Sequence, residues 1–108
     1  MTRDEQRLLQ MKADIFQAVG HPIRLAIVEL LKDGEMCVCD IATRVGAERS
    51  NVSRHLAILL SAGVLSVRKD GLKMIYELTT PCVLNFLSCV TDIVRRKVRS
   101  DAKVLANL

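Results

Sequence analysis

At Gly63 the spacing of apolar residues changes. Before it, Val52, Leu56, Leu59 and Leu60 recur at three- and four-residue steps, the period of one helix face. After it, Val64-Leu65-Ser66-Val67-Arg68 and Met74-Ile75-Tyr76-Glu77-Leu78 read as short strands with a period of two. Lys69-Asp70-Gly71 lies between these runs, and Asp-Gly is a hairpin turn signal. A helix that passes through glycine into a β-hairpin leaves few architectures for so short a chain.

The rest of the chain reads as helix. Leu8, Met11, Ile15 and Val19 place one apolar stripe on a first helix from about Asp4 to Val19. Gly20-His21-Pro22 ends it, and Pro22 suits the first turn of a second helix, where its missing N–H costs nothing. Leu25, Val28 and Leu31, with Ile27 and Leu30 beside them, carry that helix to Asp33-Gly34, where Gly34 is expected to supply a left-handed cap. A short third helix runs from about Val38 to Val45 and closes at Gly46; a fourth runs from about Arg49 to Ser61. After the hairpin, Thr80 is the expected N-cap and Pro81 the first residue of a last helix bearing Val83, Phe86, Leu87, Val90, Ile93 and Val94. The predicted fold is mostly α with a small β-hairpin, in the order α-α-α-α-β-β-α.

Composition narrows the function. With 108 residues, 50% of them hydrophobic, the chain is expected to form a single domain over 1–108 with a modest core. Met1 to Gln10 is mixed charged and polar, unlike a signal peptide, and no stretch approaches the ~18 apolar residues of a membrane span. The expected compartment is the cytoplasm, where its four cysteines read as free thiols or metal ligands. The net charge of +4 hints at a polyanionic partner. Aromatic residues make up only 3%, too few for platforms that stack single-stranded bases. Two histidines and no acid–base set argue against an enzyme, and Cys-x-Cys is not the Cys-x-x-Cys of thioredoxin-like redox sites.

Two short helices joined by a tight glycine-containing turn and followed by a hairpin have the sequence form of a winged helix-turn-helix. The second helix of the pair carries Arg49, Ser50, Asn51, Ser53 and Arg54, side chains that hydrogen-bond base edges and phosphates in a major groove. His55 suits either a phosphate contact or a polar cap on the core. Arg68, Lys69 and Lys73 near the hairpin tip are expected to meet phosphates beside the groove. A polar helix face alone is more often only a wet surface. The basic hairpin and the positive net charge tip the balance toward double-stranded DNA.

The run from Asn51 to Leu60, Asn-Val-Ser-Arg-His-Leu-Ala-Ile-Leu-Leu, with Ala62-Gly63-Val64-Leu65 after it, resembles the recognition helix and exit of the arsenic-repressor (ArsR/SmtB) family. His21-Pro22-Ile23-Arg24-Leu25 resembles that family's early His-Pro-x-Arg signature, and Cys37-Val38-Cys39-Asp40 its thiol metal box. The resemblance spans about residues 10 to 95, with the motifs in order. It implies a metal-sensing repressor that sits as a homodimer on palindromic operator DNA and leaves when a thiophilic ion binds. The implied inducers are As(III) or Sb(III); the alternatives are Cd(II) or Pb(II), or thiol oxidation.

Thiolates select soft ions over magnesium or calcium. In a regular helix Cys37 and Cys39 would diverge by about 200°, so both can grip one ion only where the segment is extended or unwinds. Because the pair opens the helix that supports the recognition helix, ligation there would strain the DNA-reading unit. The chain departs from the family pattern: the third cysteine of the box falls at Ala42, the N-terminal arm has no cysteine, and the last helix has no histidine. Asp92 is that helix's only acidic residue before Asp101, which weakens a zinc reading. Cys82 and Cys89 are the remaining candidate ligands, against a packing role. On one helix they would lie about 10.5 Å apart along the axis, too far to close one small-ion site together.

The last helix has more apolar surface than so small a domain covers. It is expected to form a dimer seam together with the first helix, as two-fold half-sites require. Arg95-Arg96-Lys97 and Arg99 read as a solvated basic end.

Overall fold

The computed structural model describes residues 1–108. The elements run α1 (Arg3–Val19), α2 (Pro22–Leu30), a 3-10 turn (Leu31–Asp33), β1 (Met36–Cys37), α3 (Val38–Val45), α4 (Arg49–Ser61), β2 (Leu65–Asp70), β3 (Lys73–Leu78) and α5 (Val83–Ala106). The chain is mostly helical, with one small antiparallel sheet in the order β1-β3-β2.

Local chemistry sets the helix starts. Thr2 Oγ1 accepts the Glu5 N–H at 3.1 Å, and the Glu5 carboxylate accepts the Thr2 N–H at 2.8 Å, a reciprocal cap that opens α1. His21 Nδ1 accepts the Ile23 N–H at 3.0 Å and caps α2, with Pro22 at its first position. Gly46 adopts the left-handed conformation (φ 77°, ψ 32°) that ends α3 and turns the chain tightly into α4.

The core lies where α2, α3 and α4 meet the foot of the sheet. Ile27 and Val28 from α2, Ile41 from α3, and Val52, Leu56 and Leu59 from α4 are fully buried. Val64 and Leu65 join them from the hairpin entrance; α1 adds Val19 and α5 adds Leu87. Leu56→Ala therefore leaves a void at the centre. We expect a loss of about 2–5 kcal/mol, read as an earlier urea midpoint at fixed protein concentration.

Four expectations change. A third strand, β1, pairs Met36 with Tyr76 and Cys37 with Ile75 of β3. Gly34 ends the 3-10 turn at φ 124° and ψ −175°, a glycine-only conformation but not the left-handed cap. Asp70 pairs with Lys73, so the hairpin loop is Gly71-Leu72 rather than Asp70-Gly71. Gly71, with φ 62°, sits at the first loop position, as a type II′ turn needs. The last helix begins at Val83, not at Pro81. Thr79 Oγ1 is drawn to the carbonyls of Gly63 and Val64, at 2.7 and 3.1 Å. The Thr80 carbonyl accepts the Val83 N–H at 3.1 Å, which makes residues 80–83 a turn instead of a cap and first helical turn.

Outside the core, α1 and α5 keep their apolar residues uncovered. Leu8, Met11, Ile15 and Phe16 are exposed on α1, as are Phe86, Ile93, Val94 and Val98 on α5. One aromatic contact links the two helices: Phe16 meets Phe86 edge-on at 5.2 Å. No helix is long and apolar enough to cross a membrane.

Candidate functional site

α4 buries Val52, Leu56 and Leu59, residues at i, i+4 and i+7, against the core. The same rotation turns Ser50, Arg54, Ala57 and Ser61 to the opposite, open side, with Arg49 and Ser53 exposed beside them. Arg54 donates from Nη2 to Asn51 Oδ1 at 3.3 Å, so the guanidinium is steered along the helix surface. Ala57 and Ile58 are exposed on this side too, although their apolar type gave no polar signal in the sequence. Glu48 precedes the helix without a side-chain cap, so the first-turn N–H groups have no side-chain partner there.

The hairpin forms the wing. Its tip carries Lys69 and Lys73 around a wholly exposed Leu72. Arg68 stands one step back, with Nη1 and Nη2 on the two Glu35 carboxylate oxygens at 2.6 and 2.7 Å. That fork geometry holds Glu35 below the ordinary carboxylate range, through the hydrogen bond first and the charge second. Arg68 is thus committed to the segment entering β1, whereas the two lysines at the tip are free of ion pairs.

His55 turns to the edge of α4 rather than to its open side. Arg24 Nη1 donates to His55 Nδ1 at 3.1 Å, and the His21 and His55 rings lie 4.4 Å apart. Arg24 also donates from Nε to the Ala18 carbonyl at the end of α1. Burial foremost, then the neighbouring His21 ring and the positive charges of Arg24 and Arg54, hold His55 below the ordinary histidine value. Sequence reasoning had His21 and Arg24 only as a family signature and missed their pairing with His55, because nothing local announces a partner some thirty residues away.

The thiols are placed differently from one another. Cys37 is buried, ends β1 in extended conformation and stands as N-cap of α3; Cys39 is exposed in the first turn. Cys82, just before α5, and Cys89 on it are also exposed. Cys82 lines an apolar cavity of about 410 Å³ between α1 and α5, with Phe16, Val19, Val83 and Phe86. No three His, Cys, Asp or Glu side chains gather in one place. Cys37, extended at the end of β1, and Cys39, in the first turn of α3, thus stand two residues apart across the start of the helix, one buried and one exposed.

Residues 21–67 match the model of a family described as bacterial regulatory protein, arsR family. An uncharacterized HTH-type transcriptional regulator of Mycobacterium tuberculosis H37Rv, Rv0081, is 33% identical over 106 residues, covering 97% of this chain and 93% of that one. Its crystal structure superposes with a TM-score of 0.77 over 88% of this chain and 96% of the other. The arsenical resistance operon repressor of Escherichia coli K12 is 41% identical over 66 residues, 60% of this chain and 56% of that repressor. A homodimeric winged helix-turn-helix DNA-binding domain from Mycobacterium bovis, 26% identical, superposes with a TM-score of 0.80 over 93% of each chain.

Proposed function

The chain belongs to the arsR family of bacterial regulatory proteins, and on that premise we propose that it is a metalloid-responsive repressor. It is a transcriptional regulator of the winged helix-turn-helix type and not an enzyme. In this reading a homodimer holds operator DNA through α4 and the wing, and leaves when arsenite or antimonite binds Cys37 and Cys39.

The observation that carries the reading is where Cys37 stands. It is the last residue of the strand paired with β3 of the wing, and the cap of the helix that supports α4. Gathering the two sulfurs on one soft ion pulls on the wing and on the helix-turn-helix together. The Glu35–Arg68 fork extends that linkage to the other wing strand, β2. A third sulfur for a trigonal ion comes from Cys82 or Cys89 of either protomer, or from a small cellular thiol. Cadmium and lead are the second choice of inducer, cadmium being supported by similarity to a Staphylococcus aureus cadmium resistance regulatory protein homolog, 34% identical over 67 residues. Such a repressor works in the cytoplasm, where its operator is.

On DNA, Ser50, Asn51, Ser53 and Arg54 face the major groove and Arg49 meets phosphate at the helix start. Lys69 and Lys73 meet phosphates beside it, and Arg68 holds the wing in place for them. Arg54→Ala is expected to cost about 1–3 kcal/mol on the operator and little on random duplex. Lys69→Ala or Lys73→Ala is expected to weaken both alike and to lower the salt slope by about one. Anisotropy titrations at several salt concentrations separate the two classes. A wild-type protein whose duplex binding is insensitive to salt contradicts the reading.

A further inference from the structure

We propose that Arg24 and His21 position the recognition helix by gripping His55 in its neutral form, so that protonation of His55 frees the helix and weakens operator binding. The inference rests on α4 being the DNA-reading helix.

Arginine has no acceptor, so in the Arg24–His55 contact the ring nitrogen Nδ1 must accept. That leaves the proton on Nε2 and the ring neutral. His21 is fixed the same way, because its Nδ1 accepts the Ile23 N–H at the head of α2. The adjoining rings, tilted by 36° to each other, and Arg24 therefore join three helices: the last turn of α1 through the Ala18 carbonyl, the start of α2, and the middle of α4. A proton on His55 Nδ1 sets one N–H against another and a cation against the guanidinium. The charged and titratable groups facing the ring are His21 and Arg24 from α2 and Arg54 from α4, while α1 contributes a backbone carbonyl to Arg24. No carboxylate is hydrogen-bonded to either histidine to offset the charge.

The sign follows. A histidine held below its ordinary value of 6.5 is neutral, and the grip intact, above that pH. The grip is lost progressively as pH falls below it. Each proton excluded from the bound state steepens the loss to at most about tenfold per pH unit. A His55 that instead contacted phosphate would give the opposite sign, because a cation binds phosphate better.

The test measures affinity of the full-length chain for a duplex isolated by selection against it, from pH 8 to 5.5 at constant ionic strength. Wild-type affinity is expected to fall on acidification. His55→Gln, whose amide oxygen accepts from Arg24 but does not titrate, is expected to lose the slope. Arg24→Met is expected to bind more weakly at pH 8 and to lose most of the slope. Wild-type affinity that is flat or rises toward pH 5.5, or a His55→Gln slope equal to wild type, overturns the proposal. Should His55→Gln fail to fold by circular dichroism, the wild-type slope is compared with His55 ring protonation followed by NMR; a slope that does not track that titration overturns it equally. Absence of duplex binding at every pH contradicts the DNA-binding reading itself, a separate outcome.

Discussion

Cys37→Ser and Cys39→Ser are each expected to hold operator DNA as wild type does and to stay on it at arsenite concentrations that release wild type. A serine hydroxyl remains protonated at neutral pH and cannot replace a thiolate. The DNA-facing residues of α4 and the wing lysines are untouched by either change. Cys37 is the N-cap of α3 without a side-chain cap, and serine is a preferred residue there. The buried hydroxyl of Cys37→Ser therefore has a backbone N–H to accept from, and the helix is expected to survive. Operator release measured by anisotropy under anaerobic conditions checks this. Release of both variants at wild-type arsenite places the sensor elsewhere, with Cys82 and Cys89 the next to test.

Ile93→Glu is expected to abolish the dimer and, with it, most operator affinity. Ile93 lies on the uncovered apolar face of α5, more than half exposed, and outside the monomer's core. Placing a charge there leaves the protomer's own packing intact but puts a carboxylate into the seam we assign to α1 and α5. Two half-sites bound through one linked dimer gain about 10²–10⁴ over a single half-site, so a monomer is expected to lose at least about a hundredfold. Analytical ultracentrifugation and operator titration of the same sample check both parts. A dimer that persists with full affinity moves the seam off this face.

Much of the fold was legible because its helices repeat their apolar residues over several turns. Val52, Leu56 and Leu59 announce which side of α4 is buried, and hence which side is open for DNA. The hairpin was legible from its change of period and its glycine, though Asp70-Gly71 misplaced the loop by one residue. β1 was not legible, because two residues have no period and the strand exists only through its partner β3. Thr80-Pro81 fits both a helix start and a turn, and the pull of the Gly63 and Val64 carbonyls on Thr79 accompanies the turn.

The candidate site divides in the same way. Its residue types were visible along α4 and in Cys37-Val38-Cys39, where neighbours in sequence share a task. The pairings that orient them were not. Arg24 meets His55 across 31 residues and Glu35 meets Arg68 across 33, and no local pattern links such positions. His55 thus looked equally suited to phosphate and to the core until its partner was seen.

The most direct measurement of the central claim is an anaerobic titration of the wild-type dimer on fluorescent operator DNA, run in parallel with arsenite, antimonite, cadmium, lead, zinc and a thiol oxidant. The account predicts release by arsenite or antimonite at near-stoichiometric ion, with cadmium and lead weaker and oxidant unnecessary. Release by oxidant alone, with no response to any of the ions, contradicts it.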